Sequence, residues 1–101
     1  MVKHIVMWKV RESGDPTQGP VNAMRVKRAL ESLNGRIPGM GRLEVGIGPG
    51  KTEVESEIVL YSEFETMEAL ERYREHPAHM AVVPIVRSVC TDRRFVDYET
   101  L

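Results

Sequence analysis

Little in this sequence is extreme, and what it lacks narrows its chemistry first. A single cysteine, Cys90, cannot form an internal disulfide, which fits a reducing compartment and points to the cytoplasm. Apolar runs are short. The longest, Ala81 to Val86, falls far below the ~20 residues a membrane-spanning helix needs. A strand-like pattern already begins at Val2, so the sequence predicts no signal peptide. Charge of one sign never accumulates: Lys and Arg number 14 against 15 Asp and Glu, without a long block of either. Nucleic acid and anionic membrane are therefore not expected partners. No His/Cys spacing matches a standard metal motif, and there is no internal repeat or low-complexity tract.

What remains is a chain of 101 residues, 42% hydrophobic and 29% charged, the composition of a soluble globular protein. That length suits one domain, residues 1–101, with a core that buries roughly two-thirds of the unfolded surface. Residues Val2 to Val10 read as a strand with Val2, His4, Val6, Trp8 and Val10 on one face and Lys3, Ile5, Met7 and Lys9 on the other. The Pro- and Gly-bearing stretch 12–20 is turn chemistry, and Pro16 or Pro20 suits the first turn of the helix that follows. From Val21, apolar residues at Ala23, Val26, Leu30, Leu33 and Ile37 recur at helical spacing until Asn34-Gly35. Strands are expected over Arg42–Ile47 and Glu53–Phe64. Thr66 is placed to cap a second helix carrying Met67, Leu70 and Tyr73 on one side. His76-Pro77 should break that helix and start a further short one, which Pro84 should kink or restart. Arg94–Thr100 reads as the last strand, preceded by a solvated turn at Asp92-Arg93-Arg94.

The order βαββαβ with an extra short helix predicts an α+β, ferredoxin-like fold: an antiparallel sheet with helices on one face. The strand centres are apolar on both faces, as at Ile5, Met7 and Val59. Helices cover only one side, and the other would leave an apolar patch larger than monomers tolerate. A second copy of the same face is the simplest cover, so a homodimer through the sheet is expected.

Tyr73-Arg74-Glu75-His76-Pro77-Ala78-His79 concentrates two of the three histidines. Neutral histidine removes acidic α-protons near working pH, and a tyrosine hydroxyl or second imidazole donates to the resulting enolate oxygen. Each residue also has a structural reading. His76 before Pro77 suits a cap; His4 and His79 suit a hydrogen-bonded core pair; Tyr73 suits a core aromatic; Trp8 suits either core or pocket wall. A zinc site from His4, His76 and His79 is a weaker alternative. Gly46 to Thr52 ends like a phosphate-binding loop, but Val45 stands where that motif needs glycine, and a strand follows instead of a helix. A turn is the better reading. Cys90 has no His-Asn partner nearby in sequence and does not read as a nucleophile.

Three segments together resemble the stress-responsive A/B barrel domain proteins, or dimeric α/β-barrel domain. They are Val2-Lys3-His4-Ile5-Val6-Met7-Trp8-Lys9, the Tyr73…His76-Pro77-Ala78-His79 block, and Asp92-Arg93-Arg94-Phe95-Val96-Asp97-Tyr98-Glu99. The resemblance implies a dimer whose two sheets face each other, with helices outside. Most members have no assigned activity. One branch, a plant polyketide cyclase, closes an aromatic ring by aldol chemistry without metal or organic cofactor. Its working residues match His4, Tyr73 and His79 here. The expectation is a protein that binds a small apolar or aromatic ligand between sheet and helices, lined by Val6, Trp8 and His76. The alternative is a cofactor-independent cyclase, isomerase or monooxygenase-like enzyme using His4, Tyr73 and His79. A structural subunit of a larger ring assembly is the third possibility.

Overall fold

The computed structural model of the chain describes residues 1–12, 14–15, 17–49 and 56–100. Its elements are β1 (Val2–Val10), α1 (Gln18–Glu31), β2 (Met40–Ile47), β3 (Ile58–Phe64), α2 (Met67–Glu75), α3 (Pro77–Val89) and β4 (Cys90–Glu99). The strands form one antiparallel sheet in the order β2-β3-β1-β4, the ferredoxin-like arrangement the sequence predicts. Among the described residues, no helix is long and apolar enough to cross a membrane.

Period-two alternation sorts the sheet into two faces. Val2, His4, Val6 and Trp8 of β1 pair with Phe64, Ser62, Leu60 and Ile58 of β3, and all eight are buried beneath the helices. Helix α1 contributes Ala23, Val26 and Leu30 to this core; α2 contributes Ala69, Leu70 and Tyr73; α3 contributes Ala78, Val82, Val86 and Val89. The outer face carries Met7, Val59, Val96 and Tyr98, which are 37–50% exposed. Burying such residues is worth about 1.5–3 kcal/mol each, so the face is poorly suited to water.

Several boundaries differ from the sequence reading, each for a physical reason. Helix α1 starts at Gln18, with Pro20 in its first turn, where an absent N–H is harmless; Pro16 lies outside the described residues. It ends at Glu31, yet Leu33 and Ile37 are buried at 0% and 6% exposure. Successive turns, with Leu33 N donating to Leu30 O and Arg36 N to Leu33 O, carry the helical spacing past the helix itself. At Gly39, φ is +79°, and a Cβ there would come within 2.7 Å of Ala69 Cβ, so only glycine lets α2 pack so close. Strand β3 starts at Ile58; the expected start at Glu53 lies outside the described residues.

Helix α3 is neither short nor restarted. It runs 13 residues straight through Pro84. Met80, whose carbonyl loses its partner there, and Pro84 are both exposed, so water can take the vacated acceptor while the opposite face stays buried. Strand β4 begins at Cys90 because Val10 and Cys90 pair, so Asp92-Arg93-Arg94 is bulged strand and not a free turn. The Gly46–Thr52 run leaves β2 toward β3, and Gly48 N donates to Glu57 O; its Gly50-Lys51-Thr52 end lies outside the described residues.

Candidate active site

Between the inner sheet face and the helices lies a cavity of about 480 Å³, lined in part by His4, Val6, Trp8, Tyr73, Val82 and His79. That volume falls within the range of small-molecule sites. The space the sequence left open as either pocket or filled core is thus a cavity, with Val6 and Trp8 in its wall.

His4 is the third residue of β1, where antiparallel pairing sets Ser62 on one side and Asp97 of β4 on the other. Its Nδ1 hydrogen-bonds Asp97 Oδ1. Asp97 Oδ2 in turn accepts from Arg74 Nη2 at 2.6 Å, and Arg74 also pairs with Glu71 at 3.0 Å. A carboxylate only accepts, so Nδ1 of His4 carries the proton and Nε2 keeps its lone pair. The His4 imidazole makes no other hydrogen bond among the described residues, and no buried side-chain nitrogen or oxygen there is left without a partner. Nε2 therefore opens onto the cavity.

The break at His76-Pro77 brings Tyr73 and His79 together. Tyr73 occupies the last turn of α2, His79 the first turn of α3, and their rings lie 4.3 Å apart at 38°. His79 Nδ1 donates to the Arg74 backbone oxygen at 3.1 Å, which again leaves Nε2 as the free acceptor. Tyr73 is 2% exposed, sits 6.1 Å from the His4 ring and 5.1 Å from the Phe64 ring, and its hydroxyl has no hydrogen-bond partner among the described residues. The bend thus folds Tyr73 back beside His79, and the cavity wall presents two imidazole acceptors and one phenolic donor.

Electrostatics favour the neutral form of all three. Burial pulls the His4 pKa below its ordinary value and outweighs the raising effect of Asp97, whose charge is shared with Arg74; Arg74 and Arg93 lower it further. Burial likewise lowers His79, with smaller contributions from His4, Arg93 and Arg74, against a raising bond from the Arg74 carbonyl. Burial pushes the Tyr73 hydroxyl up to about 12. At neutral pH the site holds two unprotonated bases and a protonated phenol.

His76 is placed elsewhere. Its Nδ1 accepts from Ala78 N at 3.0 Å and caps α3, and it is not part of the cavity wall. The expected ligand contact at His76 is therefore corrected to a helix cap, and the three histidines do not converge as a zinc site would require. Among the described residues no cluster of His, Cys, Asp or Glu is arranged to hold a metal. Cys90 does line the cavity, but burial raises its thiol to about 11, which suppresses the thiolate.

Asp97 and Arg74 are the residues sequence reasoning missed. Asp97 is the eighth of the ten residues of β4, and nothing local to that strand marks it as a partner of His4.

Comparison with known proteins agrees with this architecture. A dimeric ferredoxin-like protein of unknown function from Bacteroides fragilis is 36% identical, covers 98% of this chain and 95% of its own, and superposes with a TM-score of 0.83. A dimeric ferredoxin-like protein from Thermobifida fusca matches at 20% identity, 98% and 90% coverage and a TM-score of 0.81. An antibiotic biosynthesis monooxygenase matches at 15% identity, 100% and 99% coverage and a TM-score of 0.74, a likeness of fold alone. No curated protein matches by sequence. The model of the stress responsive A/B barrel domain matches residues 2–100, and the chain belongs to that family.

Proposed function

We propose that the protein binds a small aromatic or enolisable carbonyl compound in the cavity and moves protons on it with His4, His79 and Tyr73. The observation that carries this reading is the Asp97–His4 pair at the wall of an open cavity: a carboxylate orients an imidazole so that its free nitrogen faces space large enough for a substrate. In this reading Nε2 of His4 or His79 removes a proton from carbon beside a carbonyl. The Tyr73 hydroxyl donates a hydrogen bond to the developing enolate oxygen, and the imidazolium returns the proton to carbon or to a newly formed alkoxide. Such chemistry serves isomerisation and intramolecular aldol closure, which use unprotonated imidazole as the base and a protonated phenol as the hydrogen-bond donor.

The test is α-hydrogen exchange into heavy water with β-tetralone, followed by proton NMR. The wild-type protein should accelerate exchange over buffer, and His4→Gln and His79→Gln should each reduce that acceleration by roughly 10²–10⁴-fold. Exchange that survives both substitutions would remove the histidines from the mechanism.

We also propose that the chain works as a homodimer in the cytoplasm. The exposed apolar outer face at Met7, Val59, Val96 and Tyr98 supports the dimer, as does the dimeric state of the relatives described above. Light scattering should give twice the chain mass, and Met7→Asp on that face should give a monomer. The single buried thiol suits a reducing compartment.

A further inference from the structure

Strand β4 holds an irregularity that bears on what the cavity accepts. Met7 pairs with Arg94 and Lys9 with Thr91, so two residues, Asp92 and Arg93, stand opposite the single residue Trp8. This is a β-bulge, and Asp92 takes the left-handed conformation at φ +54° that such bulges use. Cys90 and Arg93 have opposite parity along the strand, so in a regular strand they would lie on opposite faces. With the bulge, Cys90 is buried in the core and both Asp92 and Arg93 line the cavity.

Arg93 is therefore a charge that the backbone turns toward the site. Its guanidinium lies 4.5 Å from the centre of the Phe95 ring, and Phe95 is itself in ring contact with His4 at 6.5 Å. No carboxylate pairs with Arg93 among the described residues. Its charge lowers the pKa of His4, Tyr73 and His79 alike. Arg11 and Arg87 also line the cavity, against the one carboxylate of Asp92. Arg11 is tied to the end of α3, where its Nε donates to the Arg87 carbonyl at 3.2 Å. Arg93, stacked on the Phe95 ring, makes no ion pair among the described residues.

We infer that the cavity's ligand carries a carboxylate, and that Arg93 is the residue that holds it. An aromatic or carbonyl acid would place its apolar body against Val6, Val82 and Val86 while the guanidinium fork meets the carboxylate. This inference rests on the reading that the cavity is a ligand site.

The experiment compares naphthoate with neutral naphthamide, which share shape and differ in charge, by calorimetric titration at low salt. Naphthoate should bind about tenfold tighter or more, a difference set by one charge-assisted pair. Arg93→Met should erase the preference, and Arg93→Lys should keep part of it. If both probes bind wild type equally, the carboxylate inference is overturned and the ligand site stands. If the preference survives Arg93→Met but not Arg87→Met, the assignment to Arg93 is overturned. If neither probe binds, the reading of the cavity as an aromatic ligand site fails first.

Discussion

Asp97→Asn removes one charge at nearly constant shape and separates orientation of His4 from mere packing. In the wild-type protein Asp97 accepts from two donors, His4 Nδ1 and Arg74 Nη2. An asparagine offers one acceptor and one donor. Arg74 can only donate, so the amide oxygen must face Arg74 and the amide NH₂ must face His4. Nδ1 of His4 then has to accept, and its proton moves to Nε2. The imidazole stays in place, but the nitrogen facing the cavity is no longer a base. The energetic cost is modest. A charge-assisted bond worth about 1.5–3 kcal/mol becomes a neutral one worth about 0.5–1.5 kcal/mol. Arg74 is 36% exposed and loses little more. The net loss is about 1–2 kcal/mol, which lowers the urea midpoint by roughly 0.5–1 M at an m value of about 2 kcal/mol/M. Imidazole nitrogen NMR should show His4 protonated on Nδ1 in wild type and on Nε2 in the variant, and α-hydrogen exchange should fall. A variant that keeps the proton on Nδ1, or exchanges β-tetralone at the wild-type rate, would refute the reasoning.

Buried His4 and half-buried His79 make stability pH-dependent in one direction. Their pKa values are lower in the folded protein than in the unfolded chain, where histidine titrates near 6.5. The unfolded state therefore binds more protons, and stability is lost as pH falls from about 6.5 through the folded-state values. Urea melts between about pH 7.5 and 5.5 should show this decline, and His4→Gln with His79→Gln should flatten it; a flat wild-type profile would contradict the assignment. His76→Ala should cost about 0.5–2 kcal/mol through loss of the α3 cap. Naphthoate binding measured by calorimetry should not change, which sets His76 apart from His79 three residues later.

The legible part of the fold was the part dictated by periodicity. Strand β1, the apolar face of α1, the Thr66 cap and the break at His76-Pro77 all follow from local spacing and backbone chemistry. The boundaries that moved did so where tertiary contact overrode local preference. Pro84 is carried through α3 because its helix is buried on the opposite side, and β4 reaches back to Cys90 because Val10 is there to pair with it. His4, Tyr73 and His79 were legible as residue types suited to proton transfer. Asp97 was not legible as their partner, since nothing local to β4 indicates which residue of β1 it will face.

The sequence by itself thus determined the element order and the two-faced sheet, because each depends on residues close together in the chain. Only the tertiary structure decided that the core holds a cavity, because apolar residues are required equally by a pocket wall and by packed interior. Register decided the rest. One hydrogen-bonding pattern between β1 and β4 sets Asp97 against His4, and one extra residue in that pattern turns Arg93 toward the same space.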